Sequence, residues 1–209
     1  MRKVIILIIS LILMQGFLTA AENKEETETK KITLENGVSV ITREIHNNIV
    51  SLQIWFKTGE RNEDEKNNGI SHFIEHLVFK GTKKRGVNAL SEEIESVGGR
   101  LNGATSKDYT VYHVTLAKDF FDLALDGLMD SVLNPVFDKD ELEKERKVVV
   151  EEILRQQDNP NACLSNLLNG ISYENHPYKM PVIGKREIIE SMDRETVRSY
   201  YNKFYLPET

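Results

Sequence analysis

Residues 69–82 read GISHFIEHLVFKGT, and His72, Glu75 and His76 stand in this otherwise apolar run in the order H-x-x-E-H. On a helix, positions i, i+3 and i+4 share one face. His72 and His76 therefore point two imidazoles the same way, one turn apart. That is the bite a tetrahedral zinc ion takes from two nitrogens. Glu75 lies beside them, where a carboxylate can accept a proton from a water activated at the metal. The apolar neighbours Ile70, Phe73, Ile74, Leu77, Val78 and Phe79 bind this helix to a core. The bland alternative is a helix with two satisfied surface histidines. The arrangement is H-E-x-x-H in reverse chain order, and a metal responds to geometry rather than to chain direction.

A zinc ion that keeps one position open for water needs a third protein ligand. Residues 145–152, Glu-Arg-Lys-Val-Val-Val-Glu-Glu, offer candidates on a long helix expected over Asp138–Gln157. Glu145 and Glu152 are seven apart and share a face, with Val148 and Val149 between them as an expected apolar surround. A carboxylate there is costly unless it meets a cation. Glu151 is turned away by about 100° and is expected to be solvated. The bland reading of Glu145 is a surface salt bridge.

The remaining chain reads as strands and helices in segregated groups, which predicts an α+β fold with an antiparallel sheet covered by helices. Lys31–Glu44 predicts a hairpin with Asn36-Gly37 as a two-residue turn. Ile49–Lys57 predicts a strand with Val50, Leu52, Ile54 and Phe56 on one face. Strands are also expected at Arg100–Ser106 and Tyr109–Ala117. Helices are expected from Asn67 or Asn68 to Lys80, over Leu90–Val97, Asp119–Leu133 and Asp138–Gln157, and over residues 161–173 and 187–204.

The first 21 residues differ from the rest. Arg2 and Lys3 precede the apolar run Val4–Met14, and Thr19-Ala20-Ala21 offers small residues for cleavage. These are the parts of a secretory signal peptide, and cleavage is favoured over a membrane anchor because the apolar core is short. Residues 22–31 are expected to be a disordered polar linker. The predicted location is therefore outside the cytoplasm, in a bacterial periplasm or secreted.

The formal charge of the 209 residues is −6. An acidic balance argues against a nucleic-acid binder, which needs a basic face. A single cysteine, Cys163, excludes an intrachain disulfide and reads as a structural thiol. His46, His113 and His176 carry no ligand-like spacing.

These residues resemble the insulinase/pitrilysin family of zinc peptidases, and within it the bacterial and mitochondrial processing-peptidase branch. The resemblance covers about residues 32–208. It rests on LENG at 34–37, the loop Gly59-Glu60-Arg61-Asn62-Glu63, GISHFIEHLVFKGT, GGRLNGATSKDYTVYHV at 98–114, ERKVVVEEI at 145–153 and NHPYKMPVIG at 175–184. It implies a zinc metalloendopeptidase with one Zn2+ per active site. His72, His76 and Glu152 would be the metal ligands, Glu75 the general base, and Glu145 a supporting acid near a histidine. Asn102, Gly103, Ala104 and Thr105 would form the edge strand against which a substrate peptide aligns. The resemblance further implies that residues 32–209 are the N-terminal half of a two-half enzyme, stopping before the domain's last strand. A homologous C-terminal half, in the same or a separate chain, would then supply substrate-binding and oxyanion groups, and a homo- or heterodimer is one way to provide it. The competing expectations are a non-catalytic structural or partner subunit of the same fold, and a metal-binding module without hydrolysis.

Overall fold

A computed structural model describes residues 28–207, in two compact units divided between Asn47 and Asn48. The expected signal peptide over residues 1–21 and the first six residues of the expected linker lie outside the described residues. The linker's last residues do not: strand β1 already spans Thr29–Thr33.

The first unit is a hairpin of β1 and β2 (Ser39–Arg43), paired antiparallel from Thr29↔Arg43 to Thr33↔Ser39. The turn differs from expectation. Leu34 N–H donates to Val38 O at 2.8 Å, which leaves Glu35-Asn36-Gly37 as a three-residue loop. Gly37 takes φ 88°, the left-handed position that such a loop needs and that glycine supplies without strain. The Asn36 side chain accepts from Val38 N–H and is thereby held in the loop.

The second unit holds a three-stranded antiparallel sheet in the order β3-β5-β4, built from β3 (Ile49–Phe56), β4 (Arg100–Thr105) and β5 (Thr110–Ala117). The alternation expected along β3 is present: Val50, Leu52 and Ile54 are half-buried and Phe56 is buried, while Ile49 and Trp55 are exposed. On β5, Tyr112, Val114 and Leu116 enter the core. Helices α1 (Ile70–Val78), α2 (Ala89–Ser96), α3 (Phe121–Leu133) and α4 (Lys139–Gln157) follow the predicted positions within a few residues. Their apolar faces close one core with the sheet, centred on Phe73, Ile74, Leu77, Tyr112, Leu128 and Val149. Together these elements form the expected α+β architecture.

Helix ends explain most boundary differences. Asp138 caps α4 by accepting from Asp140 and Glu141 N–H. Asn159 caps α5 (Pro160–Ser172), with Pro160 at its first turn. The single helix expected over residues 187–204 is two, α6 (Arg186–Ser191) and α7 (Arg194–Phe204). The break falls where Asp193 turns its carboxylate to Thr196 N–H and starts a new helix.

Cys163 is exposed, not packed in a core, and its thiol lies 3.1 Å from Gln157 O at the end of α4. Its helix, α5, carries no charged residue and no buried one, and leaves Leu164, Leu167, Leu168 and Ile171 exposed.

Candidate metal centre

The helix that bears His72 and His76 is fixed at its start from a distance. Gly69 precedes α1 with φ 89°, and a Cβ there would meet Gly184 Cα at 2.5 Å. Neither Asn67 nor Asn68 caps the helix. The cap is Glu63, which accepts from Gly69 N–H at 2.7 Å and Ser71 N–H at 3.0 Å, and from the Asn68 side chain at 3.1 Å. A carboxylate at a helix start meets both the free donors and the favourable end of the dipole. Burial still pushes the Glu63 pKa up, with these hydrogen bonds opposing it.

The two imidazoles stand with ring centroids 4.8 Å apart at 72°. From α4, Glu152 Oε2 lies 3.6 Å from Nε2 of His72 and 3.6 Å from Nε2 of His76. One donor atom from each of the three residues falls within 4.8 Å of the others, and all three are half-buried. A tetrahedral zinc ion with bonds of about 2.0–2.1 Å separates its ligand atoms by roughly 3.4 Å. Two nitrogens and a carboxylate oxygen at this spacing therefore fit the group the motif implies, in both chemistry and size. Burial, with His76 beside it, lowers the His72 pKa to about 4, so this ring is neutral and free to donate a lone pair at ordinary pH.

Glu145 sits behind His76. Its Oε2 lies 3.2 Å from His76 Nδ1 and its Oε1 accepts from Lys80 at 2.8 Å. Burial favours the neutral acid, but these two partners outweigh it and hold the carboxyl below its ordinary range. The same contact raises His76: burial opposes its charge, and the Glu145 hydrogen bond with the nearby carboxylates overcomes that. A carboxylate on Nδ1 fixes which nitrogen His76 presents to the centre. His72 has no such partner, and its buried Nδ1 is unpaired among the described residues. Around this face Val149 is buried, but Val148 is exposed, so the expected apolar surround comes from Val149 alone. Glu151 is exposed as expected.

Glu75 faces β4. Burial raises its pKa, and a 2.6 Å hydrogen bond from the Thr105 hydroxyl opposes the rise. A Cβ on Gly103 would lie 2.8 Å from Glu75 Cγ and 3.2 Å from its Oε1. Gly103 therefore makes room for the carboxylate. This pairing joins two groups that the sequence reading had assigned separate roles.

Among the described residues β4 is an edge strand. Ser106 N–H donates to Tyr109 O, and Asn102↔His113 and Ala104↔Val111 follow in register. In an antiparallel ladder such pairs alternate. Arg100, Asn102 and Ala104 thus turn their main-chain groups to β5, and Leu101, Gly103 and Thr105 turn theirs to the open edge. The Asn102 side chain accepts from the outward Gly103 N–H at 2.9 Å. His113 is half-buried on β5, and His176 caps a short turn by accepting from Tyr178 N–H.

Comparison with known proteins places these features. The family model for insulinase (peptidase family M16) matches residues 39–186. The chain is 36% identical over 183 residues to an uncharacterized zinc protease, YmxG, of Bacillus subtilis, covering 86% of this chain and 44% of that protein. It is 33% identical to the mitochondrial-processing peptidase subunit beta of Dictyostelium discoideum, covering 87% of this chain and 39% of that one. A solved protease structure from Helicobacter pylori superposes with a TM-score of 0.83 at 28% identity, over 87% of this chain and 44% of that one. The chain thus spans less than half the length of these relatives. The chain belongs to the insulinase family of peptidases, family M16.

Proposed function

We propose that the protein is a zinc-dependent endopeptidase acting on peptides or unfolded precursor segments. The observation that carries this reading is the convergence of His72, His76 and Glu152 beside Glu75, with the open edge of β4 next to it. His72, His76 and Glu152 would hold the ion, and Glu145 would orient His76. When bound, zinc supplies a Lewis acid that acidifies water and polarises a carbonyl. Glu75 takes the proton of the attacking water and returns it to the leaving amine. Its raised pKa suits a group that must hold a proton between these steps. A substrate strand pairs with the outward main-chain groups of Leu101, Gly103 and Thr105, displacing the Asn102 side chain from Gly103 N–H.

The relatives are more than twice as long as the matched region. We therefore assign the remaining substrate and oxyanion contacts to a homologous C-terminal half, in the same chain or in a homo- or heterodimeric partner. The uncharged helix α5, with four exposed large apolar residues, supports a covering partner. The basic, apolar and small-residue segments of residues 1–21 support export. N-terminal sequencing of the protein from cell fractions tests that point, and a start at Met1 in the cytosol would refute it.

Cleavage of an unstructured peptide pool by the full-length gene product, beside Glu75→Gln, tests the activity. Loss of cleavage with zinc retained supports the assignment. Equal cleavage by both proteins refutes it.

A further inference from the structure

The hairpin loop that follows Thr105 is held from three sides. The first is the backbone of the 59–61 segment: Glu60 N–H donates to Ser106 O at 3.4 Å and Arg61 N–H to Lys107 O at 2.9 Å. A Cβ on Gly59 would collide with the Ser106 carbonyl, so the two segments approach as closely as backbones can. The second is Asp108, which accepts from the Tyr178 hydroxyl and lies 3.6 Å from Arg61. The third is Lys107. Its ammonium donates to Tyr178 O at 3.3 Å and stands 4.8 Å and 5.4 Å over the rings of Tyr178 and Tyr173.

A lysine in a two-residue hairpin loop would ordinarily extend into water. This one is half-buried and shares its charge with two aromatic faces and a carbonyl. It also faces the buried carboxyl of Glu60, for which it is the nearby cation. The loop is thus tied by side chains to residues 173–178, far along the chain. Two residues earlier, Thr105 ends a strand that among the described residues has a partner on one side only, and its hydroxyl holds Glu75 at 2.6 Å. The loop's anchors therefore act beside β5 and the bond to Glu75 in fixing the end of β4.

The geometry points to Lys107 and Tyr178 as a clamp that positions Thr105 and, through it, the Glu75 carboxylate. Neither residue touches the reacting atoms, so both are positioning residues. The inference rests on the peptidase reading and adds to it a part of the molecule that the metal motif does not include.

The test uses the full-length gene product with Lys107→Met, Lys107→Arg and Tyr178→Phe. Lys107→Met keeps the stem and removes the cation. It is expected to lower kcat on the peptide pool about tenfold and to move KM less than about threefold, because misplacing a catalytic group costs rate more than binding. Lys107→Arg keeps a cation over the rings and should return kcat to within about twofold of the parent. Tyr178→Phe keeps the ring and loses only the bond to Asp108, so a loss of about threefold is expected. Hydrogen exchange gives a readout besides activity. In Lys107→Met, amides of residues 100–106 should exchange faster while those of α4 do not, with zinc content unchanged.

The clamp is overturned if Lys107→Met keeps the parent kcat, if Lys107→Arg restores nothing, or if faster exchange spreads into α4. Its failure is distinguishable from that of the peptidase reading. If the parent cleaves, Glu75→Gln does not, and Lys107→Met matches the parent, the clamp alone fails. If the parent and Glu75→Gln behave alike, both fail.

Discussion

The Thr105 hydroxyl reaches from the last residue of β4 to Oε2 of Glu75 on α1, a hydrogen bond of 2.6 Å across 30 residues of sequence. It ties the edge strand to the carboxylate assigned as base. Thr105→Val keeps the shape and removes the donor. A hydrogen bond to a charged group contributes about 1.5–3 kcal/mol, so kcat/KM is expected to fall roughly 10- to 100-fold. Steady-state cleavage with zinc quantified alongside checks this. A variant with parent activity would place Thr105 outside the mechanism.

Gly103→Ala would put a methyl 2.8 Å from Glu75 Cγ. The strand and the helix are both packed, so the carboxylate is the group that moves. Cleavage is expected to drop at least about tenfold, since displacements near 1 Å cost rates of this order. Circular dichroism and zinc content should match the parent.

Glu145→Gln leaves His76 Nδ1 with a neutral partner and leaves Lys80 without its acid. Loss of a carboxylate behind a histidine ligand weakens metal binding about 10- to 100-fold. Competition with a chromophoric chelator measures it. Unchanged affinity would make Glu145 a structural ion-pair residue only.

Glu60 is fully buried, neither of its carboxyl oxygens has a hydrogen-bond partner among the described residues, and burial raises its pKa to about 7 from 4.5. Between these values the folded chain binds more protons at Glu60 than the unfolded chain does. Stability from this group is therefore present below about pH 4.5 and is lost as pH rises toward 7, a change of roughly 1–3 kcal/mol. Urea unfolding at pH 5 and pH 7 should show that slope reduced in Glu60→Gln. An identical slope in both proteins contradicts it.

Much of this was legible in the residues, and the gaps have physical causes. Periodicity places His72 and His76 on one face because the spacing within a helix fixes it. The bounds of α4 follow from Asp138 and the Asp158-Asn159-Pro160 break, which are local signals. The choice between Glu145 and Glu152 needed more than spacing, since both lie on one helical face. The structure separates them by what each meets: Glu152 faces both Nε2 atoms, and Glu145 faces Nδ1 of His76 and Lys80. Glu63 was missed as the cap of α1 because it acts across a loop, six residues before Gly69. The Thr105–Glu75 and Lys107–Tyr178 contacts depend on tertiary folding and leave no mark in local sequence. Residues 187–204 read as one helix because the Asp193 cap lies inside an otherwise helical pattern.

The most direct test compares the full-length gene product with Glu75→Gln on an unstructured peptide pool, with zinc measured in both. Cleavage by the parent, its loss in the variant by at least about a hundredfold, and equal zinc in the two are the expected result. Equal cleavage by both proteins, or zinc absent from an active parent, would contradict the account.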